Sequence, residues 1–235
     1  MKLPFLISVP HGSLQIPAEI QDICLLSTAD ILQDSDEEAE AIYSSLKGKV
    51  LDFVMADIAR AAVDLNRASD DIGGDGVIKT HTCYGRQVYE KFPDQQIISL
   101  LLKRYYTPYH AKLSRAQRLP GVKLAIDCHT MAEVGPPVSP DVGQKRPLIC
   151  LSNADSTCPM EWVLALAAYL QDIFSAEEVT VNKPFRGGYT VRRHAVEMPW
   201  LQIEFSRTGT VSTQQKSAGL ILALEQLAVD KRFCF

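Results

Sequence analysis

Four polar side chains, Asp127-Cys128-His129-Thr130, directly follow the apolar run Leu124–Ile126. Open α/β sheets present their chemistry in this way, because ligands bind outside the carboxyl ends of buried strands. The alternative is that Asp127 and His129 merely end the strand and bond to each other. Neighbours in a strand point to opposite faces, so His129 is badly placed as a base for Cys128. Cys128 is therefore interpreted as a small buried hydrophobe.

Other predicted strands also end in polar residues. These are His11, the group Asp64, Asn66 and Arg67, then Asn153 and Glu204. The ends of strands in one sheet share an edge, so residues distant in sequence can form one site. Glu204 stands in the apolar run Leu-Gln-Ile-Glu-Phe, where a carboxylate is costly to bury unless something specific holds it.

This combination of residue types suits metal-assisted amide hydrolysis. Two imidazoles and a carboxylate can hold zinc and leave a fourth position open for water. A separate Glu can act as general base, while the guanidinium of Arg67 can bind a carboxylate through its planar fork of donors. The competing interpretation of Asp64 and Arg67 is an internal salt bridge. The sequence thus predicts a site for a small anionic amide.

Strands alternate with helices along the chain, which predicts an α/β sheet with helices on both faces. The predicted strands are 5–9, 49–55, 124–130, 147–152, 179–181 and 201–205. The predicted helices are 30–46, 158–174, 212–232 and 95–118, the last being one long helix or a helix pair with a break or kink at Pro108. Three Gly- or Pro-rich segments are predicted as loops: 70–76, a rim or lid of the site, 132–145, at its mouth, and 185–190. No internal repeat or linker is visible, so residues 1–235 are predicted to form one domain.

Composition excludes several classes of function. The chain has 235 residues, of which 46% are hydrophobic and 22% charged, and its net charge is −4, so neither nucleic acid nor an anionic membrane surface is an expected partner. No apolar run approaches the roughly 20 residues of a membrane span. Residues 1–10 are interpreted as a core strand. The alternative, a signal peptide, is disfavoured because the apolar segment is short and Pro4 interrupts it. The six cysteines lack a C-x-x-C pair, which indicates reduced thiols and a cytoplasmic location; they are Cys24, Cys83, Cys128, Cys150, Cys158 and Cys234.

The chain resembles the N-formylglutamate amidohydrolase family, a relative of aspartoacylase and the zinc carboxypeptidases. The segments that carry the resemblance are Ile7–Gly12, Asp34–Asp36, Arg60 with Asp64–Arg67, Asp127–Thr130, Phe185–Gly188 with Arg192, and Gln202–Glu204. The resemblance implies a single-domain α/β fold like that of zinc carboxypeptidases, with a mixed central sheet and helices on both faces. It also implies hydrolysis of an N-acyl amino acid, with N-formyl-L-glutamate, cleaved to formate and L-glutamate, as the expected substrate.

The resemblance implies that His11 and His129 are zinc ligands. Carboxypeptidases take a carboxylate ligand three residues after the first histidine, but that position holds Leu14 here. Asp36 matches the acidic position of the family and is the expected third ligand. The alternatives are Asp34 and Glu37. Another divalent transition metal could replace zinc.

The remaining roles are carried over in the same way. Glu204 is expected to be the base that deprotonates zinc-bound water, and Arg60 is expected to be a second catalytic residue. The expected substrate-binding residues are Asp64, Asn66, Arg67, Gly188 and Arg192.

Two other classes of function remain open at this point. One is a carboxypeptidase-like metallopeptidase or a related N-acyl amino acid deacylase, and the other is a non-catalytic protein that only binds metal. A peptidase needs a long open cleft, whereas the Pro- and Gly-rich rims of this chain suit a compact substrate.

Overall fold

The computed structural model describes residues 2–137 and 139–233. Its centre is a six-stranded sheet. The strands are β1 Leu3–Val9, β2 Val50–Met55, β3 Leu124–Met131, β4 Ile149–Ser152, β5 Val179–Val181 and β6 Trp200–Ser206. Their order is β2-β1-β3-β6-β4-β5; β4 runs antiparallel to β6, and the other neighbours are parallel. The predicted mixed sheet is confirmed.

Helices cover both faces of this sheet, as predicted. They are α1 Thr28–Asp34, α2 Ala39–Tyr43, α3 Gln95–Leu101, α4 Thr107–Ala116, α5 Met160–Phe174, α6 Tyr189–His194 and α7 Thr213–Val229. Successive side chains of a strand point to opposite faces. Phe5 and Ile7 of β1 accordingly join a core with α2, α5 and α7, while Leu6 joins a second core with α3 and α4.

The two central strands, β3 and β6, are buried along their whole length. They pair in parallel with His129 opposite Glu204 and Asp127 opposite Gln202. Because both strands end at the same edge, their polar residues lie side by side. This register is the framework of the site.

The single helix predicted over residues 30–46 is wrong. Two short helices, α1 and α2, occupy this region, and Ser35–Glu38 separate them. Ser27 begins α1 with a reciprocal capping pair to Asp30. Glu38 has φ 70°, a left-handed conformation that redirects the chain into α2. The interruption allows Asp36 to turn inward, where it is buried.

One other prediction needs correction. The loop predicted over 185–190 ends earlier, because Tyr189–His194 form α6. The irregularity predicted in the helix over 95–118 is a wide turn at Leu102–Tyr106, just before Pro108, and the chain continues through Pro108 into α4. Among the residues described, none of the helices is both long and apolar enough to cross a membrane. The five cysteines described are free thiols, and Cys234 lies outside the described residues.

Candidate active site

A cavity of about 330 Å³ opens at the carboxyl ends of β1, β3 and β6. Most of the residues predicted for the site line it: His11, Asp36, Arg60, Asn66, Arg67, His129, Gly188 and Glu204. Asn153 does not join them. Its side-chain amide donates to the carbonyl oxygen of Cys158 at 2.9 Å, and it lines a separate surface groove.

Three buried side chains at the base of the cavity converge, and we call His11, Asp36 and His129 the metal triad. Each offers a ligand atom, and these atoms lie within 4.8 Å of one another. Asp36 Oδ2 is 2.8 Å from His129 Nδ1 and 3.5 Å from His11 Nδ1. His11 Nδ1 is buried and has no hydrogen-bond partner. A buried nitrogen without a partner, aimed at an imidazole and a carboxylate, fits a cation bound among them.

The two alternative carboxylates lie elsewhere. Asp34 accepts a hydrogen bond from the backbone N–H of Cys83 at 2.8 Å, and its Oδ2 faces the ammonium group of Lys79 at 4.0 Å. The Glu37 side chain is half exposed, with Arg207 at 4.0 Å. The structure thus places Asp36 beside both histidines, and neither Asp34 nor Glu37 there.

Each histidine of the triad has a carboxylate on its other nitrogen. His11 Nε2 lies 2.8 Å from Asp64 Oδ1, and His129 Nε2 lies 2.9 Å from Asp127 Oδ2. An ionised carboxylate only accepts hydrogen bonds, so these partners keep a proton on Nε2. Metal-binding histidines are commonly oriented in this way, with the opposite nitrogen turned to the ion. Asp127 therefore acts through His129.

Charge at the triad is reflected in the pKa of His129. Burial lowers this pKa, but the adjacent carboxylates Asp127 and Asp36 outweigh burial and raise it well above its usual range. The pKa of Asp36 is held well below its usual range because His11 and His129 outweigh the opposing effect of burial. The triad is a strongly negative environment in which a positive charge is stabilised.

Asp64 lies beneath His11 and does not line the cavity, unlike the substrate-binding position expected for it. Its Oδ2 faces the fully buried ammonium of Lys79 at 3.0 Å and Arg60 Nε at 3.5 Å. Burial raises the pKa of Asp64, but Lys79, His11 and Arg60 together hold it well below its usual range. The expected alternative, an Asp64–Arg67 salt bridge, is replaced by these pairs. No motif in the sequence points to Lys79.

Glu204 lines the cavity next to the triad and is only 5% exposed. Gln202 donates from Nε2 to Glu204 Oε1 at 2.8 Å and accepts the backbone N–H of Gly188 at 2.6 Å. Burial raises the pKa of Glu204 to about 8. Such a carboxyl group exists in both protonation states near neutral pH, which suits a group that takes up and releases a proton.

Asn66 is fixed from two sides. Its backbone N–H donates to Asp64 Oδ1 at 2.9 Å, and its side-chain oxygen accepts the N–H of Thr190 at 2.8 Å. A Cβ at Gly188 would lie 2.6 Å from this side-chain oxygen. Gly188 therefore permits the close approach of the 185–190 loop to Asn66, and both residues line the cavity.

The two arginines expected to bind substrate lie in different surroundings. Arg67 lines the cavity and pairs with Asp75, with Nη2 2.5 Å from Oδ2 and Nε 2.7 Å from the carbonyl oxygen. Arg192 is exposed and donates to the carbonyl oxygen of Arg186 at 3.1 Å, outside the cavity lining. Three other arginines line the cavity instead: Arg186, which lies in the Phe185–Gly188 segment, and Arg146 and Arg207, which no sequence motif contains.

Comparison with known proteins finds similar sequences and similar folds. A family model described as N-formylglutamate amidohydrolase matches residues 3–210. The chain is 26% identical over 226 residues to a protein of Pseudomonas aeruginosa named N-formylglutamate deformylase, covering 87% of this chain and 82% of that protein. A protein of Pseudomonas putida with the same name is 27% identical over 141 residues, covering 55% of this chain and 52% of that protein.

Two solved structures share the fold. A crystal structure of N-formylglutamate amidohydrolase from Ralstonia eutropha superposes with a TM-score of 0.72 at 21% identity, covering 97% of this chain and 91% of the other. The crystal structure of a gene product of Agrobacterium tumefaciens gives 0.74 at 19% identity, with 96% and 88% coverage. At these identities the likeness shows the fold alone.

Proposed function

Because the chain belongs to the N-formylglutamate amidohydrolase family, we propose that it cleaves N-formyl-L-glutamate to formate and L-glutamate with a zinc ion. The chain is a hydrolase that acts on an amide. The names of the curated relatives support this choice of substrate. The single observation that supports the metal is the buried triad, in which the unpartnered Nδ1 of His11 faces Asp36 beside His129.

His11, Asp36 and His129 would hold the ion. Two imidazoles and one carboxylate leave a zinc ion with an open position, as in catalytic sites of this class. Zinc, when bound, lowers the pKa of a water ligand to about 7 and polarises a carbonyl oxygen. Asp64 and Asp127 orient the two imidazoles from behind, so the donor atoms are arranged before an ion arrives.

Glu204 moves the proton in this proposal. It takes a proton from the water that attacks the formyl carbon and delivers it to the leaving nitrogen, so the products are formate and a free amine. Its burial keeps bulk water from competing for the proton, and Gln202 fixes the carboxyl group at 2.8 Å. Arg60 lines the same cavity and lies 3.5 Å from Asp36, where its charge stabilises negative charge that develops on the substrate oxygen.

Asn66 and Arg67 bind the α-carboxylate, the group that all N-acyl amino acids share. Arg67 offers a planar fork of donors for a carboxylate. Its Nη2 lies 2.5 Å from the carboxylate of Asp75, and the carboxylate of the substrate would take the place of this contact. The cavity volume of about 330 Å³ is at the small end of small-molecule sites and favours a compact substrate over a peptide.

The test measures zinc content and formate release together. The protein is stripped with a chelator and reloaded with zinc, and N-formyl-L-glutamate hydrolysis is expected to return in proportion to bound zinc. Glu204→Gln keeps the shape and removes the basicity, so zinc is expected to stay while kcat falls about 100-fold or more. Glu225→Gln, an exposed change on α7, is the matched control.

Three outcomes contradict parts of the proposal. Loss of zinc in Glu204→Gln would make Glu204 a ligand. Full activity in that variant would place the base elsewhere. Absence of hydrolysis by the zinc-loaded wild-type protein, alongside cleavage of a peptide substrate, would favour the metallopeptidase interpretation.

A further inference from the structure

The cavity is lined by several arginines, and most of them already have a carboxylate partner or lie at the rim. Arg146 forms a bidentate pair with Asp141, with both contacts at 2.7 Å. Arg67 is held by Asp75, as described above. Arg60 lies 3.5 Å from two carboxylates of the site. Arg186 is 66% exposed at its side chain, so it lies at the rim in contact with solvent.

Arg207 differs from all of these. Its side chain is only 16% exposed, yet its hydrogen bond is from Nη1 to the carbonyl oxygen of Ser35 at 3.2 Å. The nearest carboxylate among the residues described is Glu37, whose oxygen is 4.0 Å away on a half-exposed side chain. A guanidinium has five donors. Most of the donors of this largely buried cation are therefore available to an anion.

The backbone fixes Arg207 close to the reacting groups. It lies three residues after Glu204, directly beyond the end of β6, and its N–H donates to the carbonyl oxygen of Met131 at 2.9 Å. Its guanidinium contacts Ser35, the residue before Asp36 of the metal triad. Arg207 also borders a second, open depression beyond the cavity, so there is room on this side for the longer end of a substrate.

We infer that Arg207 binds the side-chain carboxylate of the substrate and selects acidic N-acyl amino acids over neutral ones. This inference rests on the proposed function and assigns it a second anion site, separate from the α-carboxylate site at Arg67. Of the cavity arginines described, Arg207 combines burial, free donors and a position beside the triad. A bidentate pair between a guanidinium and a carboxylate is short, directional and stronger than a neutral hydrogen bond.

The experiment compares N-formyl-L-glutamate with N-formyl-L-glutamine, whose side chain has the same shape without the charge. Arg207→Gln is expected to lower kcat/KM for the glutamate substrate about 10- to 100-fold, mainly through KM, because a charge-assisted pair is lost. The value for the glutamine substrate is expected to stay within about 3-fold, and zinc content to stay unchanged, because the shared groups remain bound. Arg118→Gln, an exposed change after α4, is the charge-matched control for both substrates.

The outcomes separate this inference from the proposed function. If the wild-type protein hydrolyses no N-formyl amino acid, the proposed function is refuted and the inference with it. If the wild-type protein hydrolyses N-formyl-L-glutamate but Arg207→Gln keeps the ratio of the two substrates, only the inference is refuted. An equal loss for both substrates also refutes it. Should Arg207→Gln fail to fold, Arg207→Lys is measured; an unchanged ratio there contradicts the bidentate contact, and a partial loss supports it.

Discussion

Replacing Lys79 by methionine tests whether a buried cation beneath the site supports the metal triad. The ammonium group lies 3.0 Å from Asp64 Oδ2, 2.8 Å from Asp75 Oδ1 and 4.0 Å from Asp34 Oδ2. The side chains of Lys79, Asp34 and Asp64 are fully buried, whereas Asp75 is half exposed. Methionine keeps most of the length and removes the charge.

The expected loss of stability follows from the buried carboxylate charge of Asp64, which loses its ammonium partner. Removing one partner of a buried ion pair typically costs about 3–5 kcal/mol, because the other charge is left uncompensated. Arg60 remains 3.5 Å from Asp64 and reduces this penalty, while the exposed Asp75 adds little. We expect the free energy of unfolding to fall by about 3 kcal/mol, the low end of that range. For a chain of this size the Tm should fall by about 6–12 °C.

A second effect is expected at the triad. Without Lys79 the pKa of Asp64 rises, because the largest of the charges that oppose the effect of burial is removed. Asp64 then orients His11 less firmly, and loss of such an outer partner typically weakens metal affinity about 10- to 100-fold. Urea unfolding measures the stability, and competition with a coloured chelator measures zinc affinity. Lys112→Met, an exposed change on α4, is the control.

The double variant Lys79→Met with Asp64→Asn separates the two effects. It removes the uncompensated charge of Asp64, so most of the lost stability is expected to return. Zinc affinity is expected to stay low, because His11 no longer has an anionic partner. If Lys79→Met unfolds like the wild-type protein and binds zinc equally well, the buried ion pair has neither of the roles assigned to it.

Two further predictions concern the loop over the cavity and the helix behind it. Gly188→Ala would place a Cβ 2.6 Å from Asn66 Oδ1, so kcat/KM is expected to fall about 10-fold or more with zinc retained, whereas Gly209→Ala, with open space around it, should be neutral. His110 is buried, which lowers its pKa to about 3. Below the unfolded-state pKa of about 6.5, His110 is protonated in the unfolded chain but not in the folded chain. The free energy of unfolding therefore decreases as the pH is lowered, by up to about 1.4 kcal/mol per pH unit. His110→Gln should flatten this slope in urea midpoints measured between pH 7 and 5; equal slopes would show that His110 is protonated in the folded state.

The site residues at the ends of strands could be predicted from the sequence. His11, His129 and Glu204 each follow or end an apolar run, and the strands that carry them meet at one edge of the sheet. Their proximity does not depend on the exact strand register, because the carboxyl ends of parallel strands lie at the same edge of the sheet. The α/β sheet with helices on both faces followed from the alternation of strands and helices, whereas its mixed character came from the family resemblance.

The features of the site that depend on tertiary packing could not be predicted from the sequence. Helical spacing predicted one helix across Asp36, because no local sequence signal in Ser35–Glu38 indicates an interruption. The helix is interrupted where the Asp36 carboxylate is buried in the fold. Lys79 has no neighbouring motif, and its role comes only from the carboxylates that surround it in the fold. Arg192 matched a family motif, yet the short helix α6 turns it to solvent.

Charge balance connects these observations. In the part of the chain that the structure describes, the carboxylates buried at the site exceed the Lys and Arg side chains that contact them. The carboxylates are Asp34, Asp36, Asp64, Asp127 and Glu204, and the cations are Arg60 and Lys79. Acids buried together favour proton uptake or a bound cation. The raised pKa of His129 is a proton response to this excess, and burial raises the pKa of Glu204 in the same surroundings. A divalent cation at the triad would supply the same compensation without protons, and Glu204 would then be free to act as a base.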